Sequence, residues 1–286
     1  MQQKPVVILG GRSLVAPYLM RRLAAAGLSA DVISRQPLTL PSGFRSLTLD
    51  LTQARSWMVP ADALVISIAP LWVLARNLPR FMGAKAVIAV GSTSRFGKAA
   101  SEDPRERATA EKLREAEAAL ENWNRTSGTT TTILRPTLIY DCVNDANITR
   151  MARVIRRYGV FPIAAPGKGL RQPIHADDVA GAIMGALDNA AVDGKALNIA
   201  GGEALTYRAM AERVFIALGR QPRPLLLPTD KLALAFSAAT RLGILREKSF
   251  GFGVFNRMNE DLVFDCAEGL ALLNYAPRPF TPSFPH

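Results

Sequence analysis

An α/β fold with a parallel, doubly wound sheet is the architecture this sequence predicts, on three observations. Short runs rich in β-branched residues recur at 5–9, 30–34, 45–49, 63–68, 86–90 and 130–134. Helical patterns stand between several of them, the first reaching about Ala26 and a later one running from Pro104 to about Trp123. The first run ends in Gly10-Gly11, directly ahead of a helical pattern. Strands separated by helices form βαβ units, and such units build parallel sheets with helices on both faces.

Each element has its own signal. PVVIL at 5–9 is a short buried-strand run, and the helix after the glycine turn is stopped by Gly27. ADVIS at 30–34, RSLTL at 45–49, ALVISI at 63–68 and AVIAV at 86–90 read as the next four strands. Ser101-Glu-Asp-Pro104 opens the long helix, because proline suits a first helical turn and acids suit its positive end. Thr130–Leu134 is the sixth strand. From about 141 the chain alternates helices and short strands with more Pro and Arg. The expected organisation is a Rossmann-type core over 1–140 and a small, mixed C-terminal substrate lobe over 141–286. Segments of the lobe, such as 177–187, are expected to return to the core.

Bulk composition narrows the function. Of 286 residues 49% are hydrophobic, enough for a substantial core, and no low-complexity tract argues for disorder. Cys142 and Cys266 match no metal-ligand or disulfide spacing, and two histidines are too few for a His-rich site, so no metal is expected. No secretory signal is visible and the longest later apolar run, 232–239, is too short to span a bilayer, so a cytoplasmic protein is expected. A net charge of +11 either attracts anions or is simply a solvated surface. Arg150, Arg153, Arg156 and Arg157 are its densest cluster. Aromatic residues are not interleaved with these cations, so nucleic acid is not the expected partner. The oligomeric state is left open.

The strand-turn-helix at Gly10, Arg12, Ser13, Leu14 and Val15 is where a dinucleotide fingerprint belongs. Glycine lets backbone approach a pyrophosphate, and a helix N-terminus supplies N–H groups and positive potential. Ser13 and Ala16 occupy the second and third glycine places, and both are small. A tight turn without a ligand is the alternative. The second strand ends in Ser34-Arg35 rather than in an acid. An acid there would hold ribose hydroxyls of NAD, whereas Arg35, with Arg12 nearby, favours the 2′-phosphate of NADP(H) over NAD(H). The alternative is that Arg35 is a solvated strand-end charge.

Six blocks, in order, resemble the extended and atypical short-chain dehydrogenase/reductase superfamily, especially its NAD(P)-dependent epimerase/dehydratase members. VVILGGRSLVAPYL is similar to the opening glycine motif. LDL at 49–51 is similar to the adenine-side acidic motif, which implies Asp50 and Leu51 near the adenine. ISIAP at 66–70 resembles the loop after the fourth strand, which implies Ile68, Ala69 and Pro70 beside the cofactor. VGSTSRFG at 90–97 resembles the serine-bearing strand end, and TILRPTLIY at 132–140 the strand that ends near the nicotinamide, which implies Pro136 there. RQPIHADDVAGAI at 171–183 resembles the block leading into a late helix.

Active members of that superfamily carry a Tyr-x-x-x-Lys pair on the long helix, plus a serine. The four-residue spacing puts both side chains on one face, where the lysine lowers the pKa of the phenol for proton exchange with a hydroxyl or carbonyl. Ser92 matches the serine and Lys112 the lysine, but Ala108 stands at the tyrosine position. Tyr140 is the nearest substitute by position, with Ser94, Asp141 and Cys142 as others. The alternatives are a packing role for Tyr140, a solvated Lys112 and a strand-end cap at Ser92. His175 lacks a nucleophile elbow and is read as structural or pocket-lining, with Asp177 and Asp178 charging or capping the start of the following helix.

The resemblance therefore implies an NADP(H)-dependent oxidoreductase or epimerase/dehydratase acting on a hydroxyl or carbonyl of a sugar-like or lipid-linked substrate. The second reading is a non-catalytic NADP-binding subunit or redox sensor. RMNEDLVFD and YAPRPFTP in the tail are similar to closing segments of epimerase-like members and of the dehydrogenase-like accessory subunit of respiratory complex I. Arg150–Arg157 and the turn Pro166-Gly-Lys168-Gly suit an anionic substrate such as a nucleotide sugar, or an acidic membrane surface touched peripherally. The apolar stretch 229–245 is either core packing or an interfacial helix.

Overall fold

The computed structural model describes residues 4–53, 57–232, 255 and 257–285. Of the apolar stretch 229–245, everything from 233 onward lies outside the described residues.

Seven parallel strands form the main sheet. In chain order they begin with β1 (Val6–Leu9), β2 (Ala30–Ser34), β3 (Phe44–Thr48), β4 (Leu64–Ser67), β5 (Ala86–Val90) and β6 (Thr130–Pro136). Short pairs follow in β7 (Ile139–Tyr140), β8 (Phe161–Ala164), β9 (Leu170–Arg171) and β10 (Ile174–His175). The seventh strand of the main sheet is β11 (Ala196–Ile199), and β12 (Leu205–Thr206) and β13 (Pro224–Leu227) complete the set. The order across the sheet is β11-β6-β5-β4-β1-β2-β3. The chain reverses direction of travel between β1 and β4, and the crevice beyond the carboxyl ends of these strands is where such sheets bind ligands.

The edge strand β11 carries no clear sequence signal. Its ALNI contains a single β-branched residue, yet it registers on β6 from Ala196↔Ile133 to Ile199↔Pro136. β6 also runs two residues past the expected end, to Pro136.

Two apolar layers sandwich the sheet. On one face α1 (Ala16–Ala25) lies against α6 (Ala176–Ala186), with Leu19, Leu23, Val179 and Ile183 fully buried. On the other face lie α2 (Leu71–Ala75) and the long α4 (Pro104–Ser127), which contributes Leu113, Ala116 and Leu120. The short α3 (Ser94–Gly97) follows β5. A third cluster holds the lobe made by α5 (Ile148–Tyr158), β8, α7 (Tyr207–Ala217) and β13, and α8 (Ala267–Leu273) returns to the main body beside α6 and β11.

Helix ends follow their local chemistry. The Asp103 side chain accepts from the Arg105 N–H at 2.8 Å to cap α4, with Pro104 in the first turn and Gly128 at φ 73° after the last. For α6 the cap is not an acid: Nδ1 of His175 accepts from the Asp177 N–H at 3.1 Å. Asp177 and Asp178 sit in the first turn instead. Asp177 pairs with Arg21, Arg22 and Arg278, and Asp178 with Arg278, which ties α1, α6 and the C-terminal segment together.

Candidate functional site

A cleft of about 750 Å³ opens along the carboxyl ends of β1, β2, β4 and β5. Gly10 forms its floor at φ +93°, and a Cβ built there would stand 2.7 Å from the Ala69 nitrogen. Only glycine lets the β1 turn and the loop after β4 touch. The N–H groups of Gly10 and Gly11 both donate to the Ile33 carbonyl, at 3.1 and 3.0 Å. Ser13 completes the turn: its N–H donates to the Gly10 carbonyl at 2.8 Å, and its own carbonyl accepts from Ala16 at 3.0 Å. Ala16 is fully buried at the start of α1.

One end of the cleft carries charge. Arg12 and Arg35 are exposed on its rim, and Arg12 donates to the Gln36 side chain. Asp50 accepts from the Thr52 N–H and hydroxyl at 2.9 and 2.7 Å. Those hydrogen bonds, helped by Arg35, hold its carboxyl below the usual range. The wall is apolar, from Leu51, Ile68, Ala69 and Pro70.

The other end opens into a second cleft of about 430 Å³. Gly91, Ser92, Ser94 and Ile139 line both. Oγ of Ser92 accepts from the Ser94 N–H at 3.1 Å, so its own proton is available to a ligand. Lys98, Arg150, Arg171 and Arg257 line this second cleft, and among the described residues no Asp or Glu does. Arg171 is 5% exposed and burial lowers its pKa to about 10. It donates to backbone carbonyls of Leu170, Glu260 and Arg257 and lies over the Tyr207 ring. Burial raises the Tyr207 phenol to about 12 against the opposing pull of Arg171, Arg150 and Arg257. Behind them Glu106 pairs with Arg257 at 2.6 Å and Lys98 at 3.8 Å.

Gly10, Arg12, Ser13, Val15, Ser34, Arg35, Asp50, Leu51, Ile68, Ala69, Pro70 and Ser92 thus lie along the first cleft. Four expected residues do not. Leu14 packs into the core cluster beside α1. Pro136 lines the second cleft only. Lys112 is exposed and lines neither cleft, and Ala108 faces a shallow surface with Arg95, Arg107 and Arg114. The residues that α4 turns to the first cleft are Thr109 and Leu113, again four apart. The face that α4 turns to the cleft is therefore one residue on from Ala108 and Lys112, and one residue rotates a helix by 100°.

Tyr140 also lies away from both clefts. It is 1% exposed, and its ring packs edge-on against His175 and Phe280. Burial raises its phenol to about 12. Cys142 is buried likewise, its thiol raised to about 12. Asp141 is a loop anchor, accepting from the N–H groups of Val143, Asn144 and Asp145. Among the described residues no cluster of His, Cys, Asp and Glu could hold a metal ion, and no helix is long and apolar enough to cross a membrane.

Sequence reasoning missed Thr109, Leu113, Arg171, Tyr207 and Arg257. The buried face of α4, through Glu106, Ala110, Leu113, Glu117 and Leu120, was the signal for the first two. The other three are brought together by contacts distant in sequence.

The sequence profile of the NAD dependent epimerase/dehydratase family matches residues 54–200. No curated protein matches the chain. Solved structures match it closely in fold. A UDP-glucose 4-epimerase from Thermotoga maritima, determined with UDP-glucose, has a TM-score of 0.67 at 15% identity, over 96% of this chain and 93% of that one. A UDP-glucuronic acid 4-epimerase from Bacillus cereus, determined with UDP-glucuronic acid and NAD, has a TM-score of 0.70 at 13% identity, over 97% and 95%. A UDP-N-acetylglucosamine 4-epimerase, also from Bacillus cereus, has a TM-score of 0.68 at 15% identity, over 96% and 94%.

Proposed function

The chain belongs to the NAD dependent epimerase/dehydratase family, and we propose that it binds NADP(H) in the first cleft and acts on a hydroxyl or carbonyl of an anionic, sugar-like or lipid-linked substrate in the second. One observation carries the reading: the two clefts meet at Ser92 and Ser94, and among the described residues the second is lined by cations and by no carboxylate. Residues 1–140 then form the cofactor core, and 141–286 supply most of the substrate lobe.

The dinucleotide fits what the residues offer. The Gly10–Ala69 contact leaves a cradle that a larger residue would fill, and α1 begins beside it. Arg12 and Arg35, on the rim, offer cations to a 2′-phosphate, and Asp50 and Leu51, which line the same cleft, would sit at the adenine side. Bound nicotinamide would supply hydride transfer. Ser92, already an acceptor from Ser94, donates its proton to the substrate oxygen and orients it. Lys98, Arg150 and Arg257 attract the anionic part of the substrate.

A second reading is favoured by α4. Thr109 and Leu113 face the cofactor cleft where active relatives would need a phenol and an ammonium, and neither can exchange a proton near neutral pH. A protein that holds NADPH without turnover is consistent with that.

Titration with NADPH and NADH, followed by nucleotide fluorescence, tests the shared part. Tight NADPH binding with weak NADH binding supports the proposal, and binding of neither overturns it. Nicotinamide absorbance with UDP-glucose, UDP-glucuronic acid and simple carbonyl compounds then separates the readings. Hydride transfer to or from any of them supports the enzyme, whereas bound but unchanged nicotinamide across the panel supports the non-catalytic protein.

A further inference from the structure

One end of the C-terminal lobe is both apolar and strongly basic. Tyr158, Ile216, Leu225 and Leu226 are exposed there by 56, 64, 46 and 37%. They come from three elements that converge. The Arg220 guanidinium donates to the carbonyls of Ile155 and Arg156, each at 3.0 Å, so the turn after α7 sits on the last turn of α5. β13 starts beside β8, with Pro224 opposite Phe161. The ends of α5 and α7 and the start of β13 therefore share one surface.

Cations surround these side chains. On α5 Arg153, Arg156 and Arg157 are exposed, and residues 216–231 add the exposed Arg220, Arg223 and Lys231. Asp230 is the one carboxylate in these segments, and Glu212, one turn before Ile216 on α7, is paired with Arg208 at 2.8 Å. Arg157 lies over the Tyr158 ring at 5.4 Å. Exposed leucine, isoleucine and tyrosine within an arginine field match a bilayer surface: apolar side chains and the aromatic ring enter the headgroup boundary while arginines meet phosphates. An acidic protein would match the charge alone, whereas an exposed aromatic ring beside an arginine, as Tyr158 is beside Arg157, is what a headgroup boundary takes.

We propose that this end of the lobe docks on a membrane surface bearing anionic headgroups. The same α5 supplies Arg150 and Met151 to the second cleft and Arg157 and Tyr158 to the docking surface. Docking therefore brings that cleft close to the headgroups. The inference stands apart from the cofactor reading, since it is measured without nucleotide.

Sedimentation of the full chain with phosphatidylcholine vesicles, with and without phosphatidylglycerol, is the test. The expected result is binding to the mixed vesicles and at least about tenfold weaker binding to phosphatidylcholine alone, because each arginine near an anionic surface is worth about fivefold. Arg153→Glu with Arg157→Glu, and separately Ile216→Asp with Leu225→Asp, should each lower binding more than about tenfold. Arg105→Glu with Arg125→Glu, on α4, should leave it unchanged. Far-UV circular dichroism reports folding, and Arg157→Gln and Leu225→Ser serve if a double variant does not fold. Failure to bind mixed vesicles overturns the proposal, as does binding insensitive to the apolar pair. So does self-association through the β13 edge or capture of an acidic protein in place of vesicles.

Discussion

Gly10 and Ala69 meet backbone to backbone: a Cβ at position 10 would lie 2.7 Å from the Ala69 nitrogen, at a φ of +93°. Two costs therefore fall on any substitution there. A side chain in left-handed backbone costs about 1–2 kcal/mol, and the overlap displaces the loop after β4 that walls the cleft. Gly10→Ala should lower the melting temperature by several degrees and weaken NADPH binding at least about tenfold. Gly43→Ala, also at positive φ but with nothing within 4 Å, is the control. It should show the strain without the loss of binding. Equal nucleotide affinity in both variants would show that the Gly10 contact does not shape the site.

Arg35 decides the preference between nucleotides in this reading. A hydrogen bond to a charged group contributes about 1.5–3 kcal/mol, or roughly tenfold to a hundredfold. Arg35→Ala should weaken NADPH by that factor and leave NADH within about twofold. Parallel fluorescence titrations at fixed salt measure both, and equal losses for NADPH and NADH would remove Arg35 from the 2′-phosphate site.

The orientation of α4 gives a third outcome. Thr109 faces the cofactor cleft, whereas Ala108 faces Arg95, Arg107 and Arg114 on another side. Thr109→Tyr should change nucleotide affinity several-fold, because a phenol enters the cleft. Ala108→Tyr should leave it within about twofold, because one residue is 100° of rotation. A reversed pattern would restore Ala108 to the catalytic face.

That one-residue slip illustrates where the sequence was legible and where it was not. Strands at 30–34 and 86–90 could be read to the residue, because β-branched runs bounded by loops are local signals. β11 could not, since ALNI lacks that signal and exists as a strand by pairing with β6. The glycine turn was legible because its chemistry is local. The face of α4 was not, because a motif match counts residues whereas packing of Leu113 and Leu120 sets rotation. Arg171 and Arg257 reach the second cleft through contacts that no short segment encodes.

Asp177 gives a prediction in pH. Burial opposes its ionisation, but hydrogen bonds from Arg22, Arg278 and Arg21 outweigh burial and lower its pKa from 3.8 to about 2. A carboxyl depressed in the folded state stabilises the fold above its unfolded pKa, and that contribution disappears as pH falls through the folded value. The stabilisation is therefore complete above pH 3.8 and is lost towards pH 2. Two pKa units correspond to under about 3 kcal/mol, and solvent at Arg21 and Arg278 reduces this to about 1–2 kcal/mol. Asp177→Asn should destabilise the protein by about that amount in urea denaturation at neutral pH. The gap between variant and wild type should narrow as pH falls through this window. A gap that stays constant to pH 2 would mean that the α1–α6 link is held by packing rather than by the charge of Asp177.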